Sequence, residues 1–234
     1  MSRIDGWRRR RTLATLAAGT ALPLLGLMRH VSAQAGACAL TPTVTEGPFF
    51  VDERLNRADL TEDARTPGVS GGLPLQLVLT LHSVRSACAP VAGVQVDVWH
   101  CDALGNYSDV GSLRGARFLR GYQVSDASGR VRFRTIYPGW YPGRTVHIHV
   151  KARRFDSNGR RTYEFTTQLF FDEAVNETVL ALPAYATRGR RDTRNADEGV
   201  TPARAAGLIA TSQRSGSNAL SASLDLGLDI APAS

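Results

Sequence analysis

Lysine is nearly missing from this chain of 234 residues: 28 are Lys or Arg, and only Lys151 is a lysine. Such one-sided usage reads as coding bias rather than as a binding device. The positive charge is also unevenly placed. The first 33 residues carry six arginines against Asp5, a net +5 of the total +7, which leaves +2 over the remaining residues. A near-neutral body removes the argument from overall basicity, so no nucleic-acid partner is expected. Cysteine is scarce too, with three residues and no C-x-x-C or Cys/His zinc spacing, which excludes a structural zinc site. Cys38 and Cys88 sit in turn-like sequence and are the expected disulfide pair, whereas Cys101 ends an apolar run and reads as a small buried hydrophobe.

No apolar run reaches the roughly 20 residues of a membrane span. The longest covers residues 13–28 and is interrupted by Pro23. It follows the arginines at 8–11 and ends in small residues, Val31-Ser32-Ala33 or Ala33-Gln34-Ala35. Residues 1–35 are therefore predicted to be a cleaved export signal, with the twin-arginine route favoured over an ordinary Sec signal. The expected location is periplasmic or extracellular, with no stable membrane insertion after cleavage. Twin-arginine export carries folded proteins, which suits a chain that takes up a cofactor before secretion.

Long helical periodicity is also lacking. What is present is period-two alternation at residues 75–82, 94–100, 130–136, 146–150 and 163–171, separated by Gly/Pro turns. This pattern predicts an all-β fold, an antiparallel sandwich or barrel with long loops and little helix, apart from one short helix within 172–182. Residues 36–72 read as a polar segment wrapping the surface, 73–199 as the sandwich core, and 200–234 as a tail with a last strand near Leu224–Ile230. Residues 186–198 read as a solvated charged loop.

Chemistry concentrates in few residues. His147 and His149 flank Ile148 on a predicted strand, so both imidazoles share one face. Tyr141 and Arg144 stand just upstream in a Pro/Gly-dense turn, and Tyr107 follows Trp99 and His100 in a loop. Two imidazoles and two phenolates suit a hard trivalent cation such as Fe(III). Trp99 and His100 are expected to pack between sheets, and His82, Tyr122, Tyr137, Tyr163 and Tyr185 to be structural.

Thr45-Glu46-Gly47-Pro48-Phe49, Asp97-Val98-Trp99-His100, Gly105-Asn106-Tyr107-Ser108, Tyr141-Pro142, Arg144, His147-Ile148-His149 and Thr167-Gln168-Leu169-Phe170-Phe171 follow one another in an order that resembles the intradiol ring-cleavage dioxygenases. That family includes protocatechuate 3,4-, catechol 1,2- and hydroxyquinol 1,2-dioxygenases, and the chain looks most like its exported single-domain branch. The resemblance implies a prealbumin (transthyretin)-like sandwich and Fe(III) held by Tyr107, Tyr141, His147 and His149, with Tyr141 and His149 axial. It implies a small-molecule catechol and O2 as partners, and a ring cut between its two hydroxyls to a muconate-type diacid. By the same resemblance Tyr141, Arg144 and Gln168 are catalytic, Arg144 binds substrate, and Gly47 and Pro48 line the mouth. A homo-oligomer is compatible with all of this.

One departure is Gly143, where protocatechuate enzymes carry tryptophan; it implies a more open pocket wall. A carboxylated substrate would need a cation, for which Arg114, Arg117 and Arg120 are candidates. A cupin-like oxygenase lacks its glutamate here, since the next one after the histidines is Glu164. The alternative from another class is an extracellular β-sandwich binding module that has lost catalysis.

Overall fold

The structure, a computed structural model, describes residues 38–62, 67–199, 207–215 and 218–231. The expected export signal lies outside the described residues. Nine strands are described: β1 (Pro74–Ser83), β2 (Ala89–Pro90), β3 (Gln95–Trp99), β4 (Arg120–Val124), β5 (Arg130–Ile136), β6 (His147–Phe155), β7 (Arg161–Phe170), β8 (Thr211–Arg214) and β9 (Leu220–Leu228). The helices are short: α1 (Pro67–Ser70), α2 (Glu173–Leu180) and α3 (Pro183–Ala186). None of the described helices is long and apolar enough to cross a membrane.

The strands form two sheets. In the first, β1 pairs antiparallel with β5 and β2 and parallel with β9, and β9 carries β8 on its far side. The second sheet has the order β4-β3-β6-β7, all antiparallel. The two together form the expected β-sandwich, but the first sheet is mixed rather than wholly antiparallel. The expected last strand is an inner one. β9 lies between β1 and β8, with Leu220, Ala222, Leu224, Leu226 and Leu228 buried in the core, so the sandwich extends past residue 199.

Alternation decides which face each side chain takes. Leu75, Leu77, Leu79 and Leu81 of β1 are fully buried and meet Val96 and Val98 of β3 and Ile148, Val150 and Ala152 of β6 in one core. The other face of β3 and β6 would normally meet water. Here it is buried as well: His147, His149, Lys151 and Arg153 are each 5% exposed or less. The cover is the N-terminal segment. Thr41 is bonded to Gly227, Val44 N–H to the Thr166 carbonyl, and the Thr167 hydroxyl to the Pro42 carbonyl. Its start is fixed by the Cys38–Cys88 disulfide, with Cα atoms 5.5 Å apart, and Cys101 stays a buried free thiol.

The cover is clamped beyond that point. Glu46 pairs with Lys151, and Asp52 pairs with Arg153 at 2.7 Å. These two ion pairs bracket residues 47–51 and set where the intervening turn lies. Arg153 also holds the buried Asp97 at 2.7 Å, so the clamp is anchored in β3 as well as β6.

Candidate metal centre

The site occupies the covered face of β6. Directly paired residues of neighbouring strands share a face. His149 pairs with Trp99 of β3 on one side and Gln168 of β7 on the other, while His147 pairs with Phe170. Trp99 stacks flat on His149, with ring centroids 4.8 Å apart and an interplanar angle of 6°. Trp99 therefore does not pack between the sheets. Val96 and Val98 face the core, so Asp97 and Trp99 face the site, an assignment that strict alternation along β3 already contains. His100 does lie in the interior, its nitrogens 2.8 Å from the Cys101 carbonyl and 2.7 Å from the Thr135 hydroxyl.

The loop after β3 delivers Tyr107. Asp102 accepts from the backbone N–H groups of Leu104 and Asn106, both at 2.9 Å, and curls the chain before the tyrosine. Ser108 behind it donates to the Phe118 carbonyl at 2.6 Å and accepts from Arg120 at 2.7 Å. Arg120 also donates to the Ser108 and Phe49 carbonyls, so its guanidinium is consumed as a brace. Each of its three nitrogens already makes a bond and the residue is buried, so it is held as structure rather than offered to a substrate carboxylate, and Arg114 and Arg117 are exposed.

Tyr141 comes from the turn before β6, and its hydroxyl lies 3.1 Å from His147 Nε2. That nitrogen lies 3.2 Å from His149 Nε2. His147 Nδ1 is 2.7 Å from the Thr145 carbonyl, which can only accept, so Nδ1 carries the hydrogen and Nε2 presents its lone pair. The Tyr107 hydroxyl is buried with no partner in hydrogen-bonding geometry. The Tyr141 hydroxyl is near enough for a weak, poorly aligned bond with it, and the two rings meet edge to face at 5.6 Å. Two phenols and two imidazoles thus converge.

The set fits one small cation. Ligand nitrogens about 2.1 Å from an ion and at right angles stand about 3 Å apart, as these do. A buried phenol with no well-aligned bond is costly unless something else binds its oxygen. Among the described residues no group of three or more His, Cys, Asp and Glu could hold a metal, so the phenols are needed to complete the donor set. Burial pushes both phenols up in pKa, Tyr107 strongly, so they are protonated in the metal-free protein. Burial likewise lowers the imidazoles, His147 to about 3 and His149 far below its usual value, with Arg144 adding to both.

These depressed imidazoles make the stability of the metal-free protein depend on pH. His100, lowered to about 4 chiefly by burial, behaves like the other two. All three have folded-state pKa values below the unfolded value near 6.5, so the unfolded chain binds more protons in the window between. Stability is full above that window and falls as pH drops through it, by about 1.4 kcal/mol per pH unit for each histidine at most. Urea melts of the metal-free protein at pH 6 and pH 5 should therefore differ by about 3 kcal/mol. Equal stability at the two values would mean that the imidazoles are not buried as neutral groups.

Arg144 lies behind the donors. Its Nε contacts Glu198 at 2.9 and 3.1 Å, and a terminal nitrogen donates to Gln168 Oε1 at 2.5 Å. Gln168 in turn donates to the Thr45 carbonyl at 2.9 Å, tying the cover to the arginine. Gly47 sits against His149 at φ 70°, where an added Cβ would come 3.4 Å from the imidazole Cε1. Pro48 follows it in the same turn. Next comes Phe49, which stacks on Tyr107 at 4.4 Å and meets Tyr141 edge-on at 5.9 Å. A cleft of about 260 Å³ opens in front of the two tyrosines, lined also by Phe49, Val110 and Leu113. Gly143 itself is exposed, and a Cβ there would meet nothing within 4 Å.

Phe49, Trp99, Thr145 and Glu198 are the site residues that reading the sequence did not assign. Tyr137 and Tyr185 are structural, as expected: Tyr137 donates to Asn176 at 2.6 Å and Tyr185 to the Tyr137 carbonyl at 2.8 Å.

Comparison with known proteins gives this geometry a lineage. Residues 45–188 match a family model described as Dioxygenase. A solved intradiol ring-cleavage dioxygenase from Tetranychus urticae is 31% identical, with a TM-score of 0.70 over 84% of this chain and 98% of that one. A catechol 1,2-dioxygenase from a Pseudomonas species is 30% identical over 49% of this chain. The beta chain of a Burkholderia cepacia protocatechuate 3,4-dioxygenase is 35% identical over 48% of it. The matches span only 37% and 51% of those two relatives' own lengths. The matched segment carries the cover turn, both tyrosines, both histidines, Arg144 and Gln168, and on that footing the chain belongs to the intradiol ring-cleavage dioxygenase family.

Proposed function

We propose that the chain is a non-haem Fe(III) dioxygenase that cleaves a catechol-type ring between its two hydroxyls with O2, giving a muconate-type diacid. The observation that carries this reading is the convergence of Tyr107, Tyr141, His147 and His149, with two imidazole nitrogens 3.2 Å apart and a buried Tyr107 hydroxyl that has no bond of good geometry and only the other phenol to turn to. Those four residues would hold the ion. Fe(III), when bound there, would supply Lewis acidity towards the oxygens of a catechol.

The chain's own residues do the rest. Tyr141 is only partly buried and stands at the cleft, whereas Tyr107 is enclosed. Tyr141 is therefore the donor within reach of substrate, and its phenol oxygen would take a proton from an incoming catechol hydroxyl. Burial, which favours the neutral phenol, drives that transfer. The Arg144 guanidinium stabilises negative charge developing on the ring, and Gln168 holds it there. Phe49 and Trp99 wall the site and keep water from the reacting carbon.

We further propose that the protein is exported. Support comes from the arginines ahead of the apolar run and from the Cys38–Cys88 bridge, a bond that persists in oxidising compartments.

Loading with ferric iron tests the enzymatic reading. Purified protein should turn wine-red from phenolate-to-iron charge transfer and consume one O2 for each catechol converted to a diacid. A colourless, O2-inert protein would leave the binding module as the better account.

A further inference from the structure

We propose that the loop 192–198 is a positioning brace for the metal-ligand turn, with Glu198 as the residue that sets Arg144 in place. The loop lies beyond residue 188, where the match to the family model ends. Three of its residues, spaced by three, dock on three consecutive residues ahead of β6. Asp192 accepts from Gly143 N–H at 3.1 Å. Asn195 accepts from the Thr145 hydroxyl at 2.7 Å. Glu198 accepts from Arg144 Nε at 2.9 Å and from Thr145 N–H at 2.9 Å.

The loop is itself fixed from behind. Asn195 donates to the Phe171 carbonyl at 2.7 Å and its N–H to Glu173 of α2 at 3.2 Å. Arg191 pairs with Glu173 and Glu177. The three contacts have different consequences at the site. The Thr145 carbonyl sets the tautomer of His147, so fixing Thr145 fixes a metal-ligand nitrogen. The Glu198 side chain is fully buried and straddles Nε, which leaves Arg144 one edge to hold Gln168. A planar guanidinium gripped along one edge cannot swing about its stem, so its charge is presented to Tyr141 and the ring from one direction. A solvated loop would show none of these contacts.

The turnover arm of the test rests on the dioxygenase reading; the exchange arm does not. In iron-loaded protein Glu198→Gln should lower kcat with catechol about tenfold while KM and bound iron change less than about twofold. Glu198 is placed as acting through Arg144, so in an Arg144→Ala background the same substitution should change kcat less than about twofold. Equal losses in both backgrounds, or no loss in the first, would overturn the assignment. In metal-free protein the Thr145 amide hydrogen should exchange about tenfold faster in Glu198→Gln, because a neutral amide is the weaker acceptor, while the Val150 amide is unchanged. Unaltered exchange at Thr145 overturns the brace whether or not the protein ever turns over a catechol. Failure to take up iron would remove the dioxygenase reading and leave the exchange result to decide the brace.

Discussion

Tyr107→Phe loses O2 uptake with catechol by more than about a hundredfold and bleaches the red colour of the iron-loaded protein, yet makes the metal-free protein more stable. The loss follows from chemistry. Phenylalanine keeps the ring, which still stacks on Phe49, and removes one of only two anionic donors available to a trivalent ion. Outer partners of metal ligands already cost ten- to a hundredfold on removal, so a ligand costs more. The gain in stability follows from burial. The Tyr107 hydroxyl is enclosed with no bond of good geometry and only the poorly placed Tyr141 hydroxyl near it in exchange for water, so deleting it relieves about 1–2 kcal/mol of desolvation. A residue that is destabilising when empty and indispensable when filled marks a site built for a ligand. Urea melts of both metal-free proteins, beside iron content and oxygen-electrode traces of the loaded ones, measure the pair of effects. If the variant stays red and active, Tyr107 does not hold the ion. If it is dead and also less stable, the hydroxyl has a structural partner after all.

How much of this is legible in the residues depends on whether local pattern or distant cover decides the outcome. β1, β5 and β7 are close to the alternating runs because one face of each meets the core. The pairing of His147 with His149 on one face is a direct consequence of period two. β4 is absent from that reading. Arg120-Gly121-Tyr122-Gln123-Val124 has no apolar alternation, because its faces meet the N-terminal cover: a Cβ at Gly121 would press to 2.9 Å from Leu60. β9 reads weakly for a similar reason, with Ser221, Ser223 and Asp225 interrupting its leucines, and a parallel partner as distant in sequence as β1 leaves no turn signal. Residue type misplaces Trp99, since a large aromatic ending an apolar strand suggests core. Its period-two companions are Gln95 and Asp97, which face the site.

The charged loop 186–198 is the deeper case. Arginines and carboxylates in a turn-rich stretch are ordinarily solvated, and nothing local distinguishes the buried Glu198 from its exposed neighbour Asp197. The burial of Glu198 is decided by Arg144, 54 residues earlier. The polar residues of the covered face obey the same logic. Lys151 and Arg153 look like a strand breaking into solvent, and only Glu46 and Asp52 of the wrapping segment turn them into a clamp.

Arg144→Ala should cost turnover by about a hundredfold to a thousandfold, the range for removing one preorganised group that stabilises transition-state charge. It should also cost stability, which distinguishes this arginine from an ordinary one near a cleft. The Glu198 side chain is 0% exposed, and breaking a buried ion pair by removing one partner typically costs about 3–5 kcal/mol. The second substitution separates the two losses. Arg144→Ala with Glu198→Gln removes the buried negative charge, so thermal and urea stability should recover most of the difference, whereas kcat stays down because no cation faces the ring. Arg144→Lys supplies the opposite control. A lysine keeps a positive charge but has no fork to hold Glu198 and Gln168 at once, so stability should survive better than rate. Recovery of turnover in the double variant would show that the single variant failed by distorting the site. Recovery of stability alone would assign the arginine two separable tasks, one as the counter-ion of a buried carboxylate and one as the fixed cation of the reaction.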